Sequence, residues 1–498
     1  MRKKIIIGSV LVLIAIVIGS TFAWFTWTTS NEQNTNVVVT VGGASISYED
    51  GENITNNNLI PTSTKEKGIS KQITMSSTSL VYLNLDMTIV SLDTGLKDES
   101  FKYGLYDNEG TPVVEGNFAS SNQDDVINLL KNVEVSSAEQ TYILYIWIDG
   151  NMPNPSTMYN QNFEFRLNAS ATDEIPPISG VELGNQIKAM SNGAKNSVTA
   201  VATTDEGVWE TTDDYGTTYY FRGAVDNNYV EFAGYYFRIV RINGDGSIRL
   251  IYDGTSAHAN GESSTDRQIG TSAYNSNYND NAYIGYMYGS TGASSYSATH
   301  ANTNNSTIKT SVDNWYKTNI EDKGYSDKVA DVVYCNDRQI AADSSSYSGY
   351  GSLGYGTNKT VYAPSSRLYT TGWSWESTQE IKMTCSQKND AFTVDDVEKG
   401  NGALTYPVGL LTVDEALAGG GKGGTINRNY YLYTGQTYWT MSPYLFGGSY
   451  ANGFSVHSNG VISDGTVGSA YGVRPVLSLK SSVMLSGSGT LNDPWKVN

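Results

Sequence analysis

The residues that could carry chemistry are few and far apart. The chain has 498 residues but only three histidines, His258, His300 and His457, and two cysteines, Cys335 and Cys385. So scattered, they form no cluster with metal-ligand spacing. His457 stands in Phe454-Ser455-Val456-His457-Ser458-Asn459-Gly460, a strand running into a turn, with no G-x-S-x-G motif nearby. That predicts a surface histidine rather than a general base. Asp213-Asp214 and Asp395-Asp396 are paired carboxylates among turn residues, and they read as solvated loops. A G-x-x-x-x-G-K-[ST] phosphate loop is missing, and residues 419–424 around Lys422 read as a flexible turn. No spaced acidic loop of the EF-hand kind occurs, although the acidic balance leaves room for a structural calcium ion. No other cofactor, no catalytic residue and no enzyme activity are expected.

Recognition is the remaining option. Between 438 and 471 the chain is rich in Tyr, Ser, Asn and Gly, the residues that dominate antibody paratopes. Tyr supplies contact area with few rotors, while Ser and Asn adapt their hydrogen bonds. The positions expected at a ligand-binding surface are Tyr438, Tyr444, Ser449, Tyr450, Asn452, Ser455, His457, Asn459, Asp464, Ser469 and Tyr471, with Ser458 beside them. A turn-rich, solvated β-surface with no partner is the competing reading.

Bulk composition narrows the setting. Hydrophobic residues make up 39% and charged residues only 16%, the balance being carried by 50 Gly, 36 Tyr and many Ser, Thr and Asn. This suits β-rich, turn-rich domains, and an aromatic content of 11% argues against disorder. A net charge of −18 excludes a basic patch for nucleic acid and keeps the protein soluble. At the start, Arg2, Lys3 and Lys4 precede an apolar run over 5–19 that continues to Phe25. A basic start followed by an apolar core is an export signal. Thr21 and Ala23 could be the small residues of a signal-peptidase site, with cleavage after Ala23. Left uncleaved, a run of about 21 residues can span a bilayer and anchor the chain in the membrane. The last residues, Trp495-Lys496-Val497-Asn498, hold no sorting motif, so covalent wall anchoring there is not expected. In an oxidising compartment Cys335 and Cys385 can close a disulfide; two buried free thiols are the alternative.

The elements that must position these residues are mostly strands. Val81-Tyr82-Leu83-Asn84-Leu85-Asp86-Met87-Thr88-Ile89 and Phe163-Glu164-Phe165-Arg166-Leu167-Asn168-Ala169 alternate with period two. Residues 142–148 are apolar throughout and predict a central strand buried on both sides. Asp107-Asn108-Glu109-Gly110 and Asp149-Gly150-Asn151 are turns, and 124–131 reads as a short helix. Glu174-Ile175-Pro176-Pro177-Ile178-Ser179-Gly180 reads as a semi-rigid spacer, after which 181–190 is helical. A β-meander follows from Tyr219 to Tyr252, turning at Asn243-Gly244-Asp245-Gly246. Ile308, Val312, Trp315, Tyr316 and Ile320 share one helical face, with Thr307 as cap and Gly324 as stop. Thr412 and Glu415 make a capping box for a second short helix.

Gly19-Ser20-Thr21-Phe22-Ala23-Trp24-Phe25-Thr26 resembles the signal of TasA/camelysin-type exported proteins, and the strand order after it is similar to their first domain. That resemblance implies a β-sandwich, in some members fibre-forming, and therefore self-association through this domain. Residues 205–498 resemble a domain of unknown function common in surface proteins of Gram-positive gut bacteria. The residues that carry it are the meander with Phe237-Arg238-Ile239-Val240-Arg241-Ile242-Asn243-Gly244-Asp245-Gly246, then Trp439-Thr440-Met441-Ser442-Pro443 and Gly472-Val473-Arg474-Pro475-Val476-Leu477-Ser478-Leu479-Lys480. This ending is in turn similar to the C-type-lectin-like fold of formylglycine-generating-enzyme proteins. The catalytic cysteine pair of those enzymes is not matched, nor are the E-P-N, Q-P-D and W-N-D elements of calcium-dependent lectins; Asn492-Asp493-Pro494-Trp495 is only an echo. Proteins diversified by retroelements vary Asn, Ser, Tyr, Asp, His and Gly on this lectin-like surface, the outcome of adenine mutagenesis of Asn codons.

The expected fold class is therefore mainly β with minor α (α+β). It comprises a signal or transmembrane helix (1–29), a jelly-roll-like β-sandwich (31–173), a Pro-rich linker (174–180) and a C-type-lectin-like domain (181–498). The expected function is that of an exported cell-surface protein of a Gram-positive-type bacterium, binding an extracellular glycan or protein through its C-terminal domain. Two alternatives are a biofilm-matrix fibre built by the first domain, and a variable ligand-binding protein of a diversity-generating retroelement.

Overall fold

The computed structural model describes the strands Thr21–Thr28, Val37–Val41 and Ala44–Asp50, and then residues 59–498 except 154, 155, 159 and 174. The expected leader helix over 5–19 lies outside the described residues. Among those described, no helix is long and apolar enough to cross a membrane. The molecule is mainly β-strand with few helices. It divides into two compact units, residues 1–176 and 177–498.

In the first unit, β1 (Thr21–Thr28), β10 (Phe163–Thr172), β5 (Val81–Leu92) and β8 (Val126–Val135) form one antiparallel sheet in that order. Thr21–Thr28, expected to close the leader, is instead a strand, with Ala23 opposite Ala169. A second sheet runs β2 (Val37–Val41), β3 (Ala44–Asp50), β4 (Ile69–Ser77), β9 (Gln140–Ile148), β6 (Phe101–Asp107), β7 (Pro112–Asn117). The two sheets share one core because their strands alternate. Val81, Leu83, Leu85, Met87 and Ile89 are all fully buried, and the polar residues between them face outward. Phe101 of one sheet meets Phe163 and Phe165 of the other at 5.3 and 6.5 Å between ring centroids.

Two expectations for this unit need correction. The segment 124–131 is not a helix but the start of β8. Irregular register between β5 and β8 around Leu83–Leu85 lets Leu129 and Leu130 both point inward, which imitates a helical period. Asn132, in the left-handed region at φ 51°, donates its backbone N–H to Asn84 Oδ1 at 2.8 Å and holds the bulge. β9 is central, between β4 and β6, but its two faces differ. Leu144, Ile146 and Ile148 enter the core, whereas Tyr145 on the other face is covered by Tyr106 and the Lys65 ammonium.

The second unit begins earlier than the expected spacer allows. Ile178–Ser179 already pairs with Met484–Ser486, and Ser179 caps the helix Gly180–Ala189 through a capping box with Glu182. One large sheet contains the meander Asp205–Asp213, Gly216–Gly223, Tyr235–Ile242 and Ile248–Gly254, extended by Val476–Leu479. A second sheet holds Tyr438–Phe446, Ala451–Val456 and Ile462–Thr466, joined by short strands at Thr271–Ser272, Thr360–Val361 and Tyr471–Gly472. A single core cluster runs through both. The helix Thr307–Tyr316 buries Ile308, Val312 and Tyr316 as its 3.6-residue period dictates, but Ser306, one residue before the expected cap, accepts from Lys309 N. Thr412 and Glu415 form the reciprocal capping box of Val413–Ala418.

Candidate ligand-binding face

The motif residues of the C-terminal half frame the fold. Trp439 is fully buried, and its Nε1 donates to Ser272 O at 3.0 Å; the Thr440 hydroxyl donates to Phe454 O. Ser442 Oγ accepts the N–H of Val413 and ties the sheet to the capped helix. Arg474 is buried, donating to Tyr252 O, Leu432 O and Asp253 Oδ1, with its guanidinium 4.8 Å from the Tyr438 ring centroid. Arg267 holds the same Asp253 oxygen at 2.7 Å. Charges so deep persist only when paired and hydrogen-bonded, so these residues fix the strands that carry the surface.

Beside that frame lies an aromatic basin built from three segments. The tight turn 370–374 presents Trp373: its N–H donates to Thr370 O, and Thr370 N donates to Ser374 O. Trp373 has φ 61° and is 36% exposed. A bulky residue in the left-handed region costs about 1–3 kcal/mol, a strain typical of ligand clamps. Its ring packs on Tyr347 at 4.5 Å and Tyr350 at 5.4 Å, with Tyr444 at 6.1 Å and Tyr369 at 6.4 Å. Trp375 stacks on Tyr369 at 3.9 Å. Its other side rests on Gly423 and Gly424, where an added Cβ would come within 2.2 and 2.3 Å of the indole. Residues 419–424, expected as a flexible turn, are thus close-packed, Gly423 and Gly424 against Trp375 and Gly419 to Gly421 against Leu432, Ala202 and Ile462.

Polar groups edge the basin. The rings of Tyr369 and Tyr444 pack at 5.3 Å, and burial lifts both phenols well above the ordinary range. Asp464 lies near enough for its charge to raise them further, and burial raises its own carboxyl. Asn452 Nδ2 donates to Asp464 Oδ2 at 3.4 Å, while Asn452 Oδ1 is buried without a partner. The Lys359 ammonium sits 5.8 Å from the Tyr350 ring. Burial pushes the Tyr347 phenol up to about 12, and its hydroxyl donates to Tyr369 O.

The eleven residues expected at the surface do not form one face. Tyr444, Asn452 and Asp464 border the basin, and Ser449 and Tyr450 are exposed on the adjacent turn, where Gly447 N donates to Tyr450 O. His457, Asn459, Ser469 and Tyr471 are half-exposed elsewhere, Tyr471 packing on Trp439 at 4.6 Å. Four of the eleven are buried. Tyr438 lies under Leu432, whose carbonyl takes its hydroxyl; Ser455 is fully buried; Tyr444 and Asn452 are 8% and 9% exposed. Two adjacent central strands, Tyr438–Phe446 and Ala451–Val456, are covered on both faces, so alternation does not expose every second residue. His457 caps its strand at a turn but keeps Nε2 buried and unpartnered. Sequence reasoning missed Tyr347, Tyr350, Tyr369, Trp373 and Trp375. Their only signal was the Tyr/Trp/Gly density of 347–375, outside the stretch that looked like a paratope.

The other chemistry-bearing residues are structural. Asp213, expected in a solvated loop, is buried and pairs with Arg241 at 2.6 Å. Arg241 and Arg249 both reach Glu415 Oε1, and Arg367 joins Asp337 to Asp414. Arg241, Arg249, Asp337, Asp414 and Glu415 line a cleft with Lys382 and Cys335, where both arginines are already ion-paired. Cys335 and Cys385 are joined by a disulfide, and the Cys385 N–H donates to Asp214. His258 bridges Glu262 at 2.8 Å and Asp266 at 3.0 Å. Among the described residues, no group of three or more His, Cys, Asp or Glu is arranged to hold a metal ion.

No family model matches the chain, and no curated protein does. Among solved structures, a cleaved adhesin domain of Lys-gingipain from Porphyromonas gingivalis is similar over 30% of this chain and 96% of that one, at 7% identity and a TM-score of 0.16. An alpha-xylosidase from Xanthomonas citri covers 38% of this chain and 24% of its own, at 12% identity and a TM-score of 0.10. Similarity at that level carries no argument about fold or function.

Proposed function

We propose that this chain is an exported cell-surface protein that binds an extracellular ligand, a glycan or a protein, through its second unit. The observation that carries the reading is the aromatic basin, with Trp373 held part-exposed in a strained conformation and packed toward Tyr444. Aromatic faces with a few placed polar groups are the usual makings of a binding site. The Cys335–Cys385 disulfide and the basic-then-apolar start support export. On this reading the first unit is a β-sandwich of the TasA type serving as stalk, and the second a C-type-lectin-like head working by contact rather than catalysis. The two facing sheets around one core support the first half of that assignment.

The test has two arms. Antibody to the full chain should label intact producing cells, and purified full chain should capture a ligand from combined glycan and host-protein arrays. Loss of that capture in Trp373→Ala/Tyr450→Ala would locate it. Cells labelled only after lysis, with no array ligand retained, would dismiss the reading.

A further inference from the structure

We propose that the basin takes a neutral saccharide, one sugar ring lying on Trp373 and its hydroxyls meeting Asp464, with no bound cation. The inference rests on the reading of the second unit as a ligand-binding module and names the ligand class of that site.

Three features select this chemistry. First, the exposed apolar residues on Trp373's turn and the adjacent turn are aromatic. Trp373 and Tyr450 are 36% and 48% exposed, and Trp373 rises from Thr370, Thr371, Gly372 and Ser374. The electron-rich face of an indole attracts partly positive hydrogens, which the C–H side of a pyranose presents as a flat array. A stable protein interface needs about 800 Å² on each side. Two exposed rings with a polar fringe match one or two sugar units instead. Second, the fringe is made for hydroxyl groups. A carboxylate accepts from two neighbouring hydroxyls, and a phenol can either donate or accept. Asn452, nine-tenths buried, orients the Asp464 carboxylate from behind at 3.4 Å and leaves its own Oδ1 unpartnered. Third, the local charge is acidic, with Asp464 and, near Tyr347, Asp343 and Glu376 against one ammonium from Lys359. A uronate or sialic acid would find no surplus cation there and would be repelled by Asp464.

The strain at Trp373 fits the same role. Among Thr, Gly and Ser neighbours, the turn could relax if the indole were dispensable. Instead, packing on Tyr347 and Tyr350 holds the ring in place before any ligand arrives. Such preorganisation lowers the ordering cost of a weak, shallow site.

The experiment uses purified full chain in buffer containing EDTA. Calorimetric titration with cellohexaose, maltohexaose, mannohexaose and chitohexaose should give saturable binding to at least one. Trp373→Ala and Asp464→Asn should each weaken it by about tenfold or more, with Trp373→Phe between, and Ser469→Ala should leave it unchanged. Unaltered melting temperatures keep the comparison clean, and Asp464→Asn preserves shape if Trp373→Ala proves unstable. Binding to none of the four, binding abolished by EDTA, binding indifferent to Trp373→Ala, or preference for polygalacturonate would each overturn the saccharide assignment. If the chain ignores sugars but captures a protein through Trp373 and Asp464, the saccharide assignment fails while the ligand-binding reading stands.

Discussion

Burial of His300 makes the second unit sensitive to mild acid. Its ring is fully buried between Tyr296, at 4.3 Å, and Tyr362, at 6.2 Å. Nε2 donates to Gly354 O at 2.9 Å, and Nδ1 has no partner. A proton on Nδ1 would therefore bring a buried charge with no acceptor. Arg338 lies near enough to oppose it, since Asp390, 2.7 Å away, is already engaged by that guanidinium. Burial first, and Arg338 second, pull the imidazole down from its ordinary 6.5 to about 3. The unfolded chain still protonates near 6.5, so the neutral ring's contribution is complete above that pH and drains away as pH falls toward 3. Between pH 7 and pH 5 the loss is about 2 kcal/mol, because the unfolded side gains roughly one and a half decades of protonation that the folded side refuses. His300→Gln keeps a donor for Gly354 O and removes the titration. Urea unfolding of full chain at pH 7 and pH 5, followed by tryptophan fluorescence, should show the transition of the second unit weakening by about 2 kcal/mol more in the parent than in the variant. Equal losses in the two proteins would refute the reasoning.

Arg474→Met should destabilise the second unit by about 3–5 kcal/mol, since it strips Asp253 of one of two buried cations and takes one donor each from the Tyr252 and Leu432 carbonyls; chemical denaturation reads this directly. Breaking the Cys335–Cys385 link with Cys335→Ala/Cys385→Ala releases a loop of 50 residues and should cost about 4 kcal/mol by chain entropy. A melting temperature unchanged by both the double variant and added reductant would show that the loop is held by its packing alone.

Period and caps could be read in the chain itself. Val81 to Ile89 and Phe163 to Ala169 alternate because each strand has one face in a core, and they fold so. Thr412 and Glu415 are a local device needing only three residues of separation, and both halves of the capping box form. Where local pattern and long-range pairing conflict, pairing wins. Leu129 and Leu130 are adjacent in sequence, yet the open edge of β5 draws them into a strand through a bulge that no window of β8 alone discloses. The aromatic basin depended on the same kind of information. Tyr438 and Ser455 have the composition of a paratope but lie on central strands that other segments cover. Trp373 and Tyr369 reach Tyr444 only because Thr360–Val361 pairs with Leu445 and Phe446. Which side chains can meet is set by hydrogen bonds and packing between residues some seventy to a hundred positions apart. Those contacts exist only once the core of the second unit has closed.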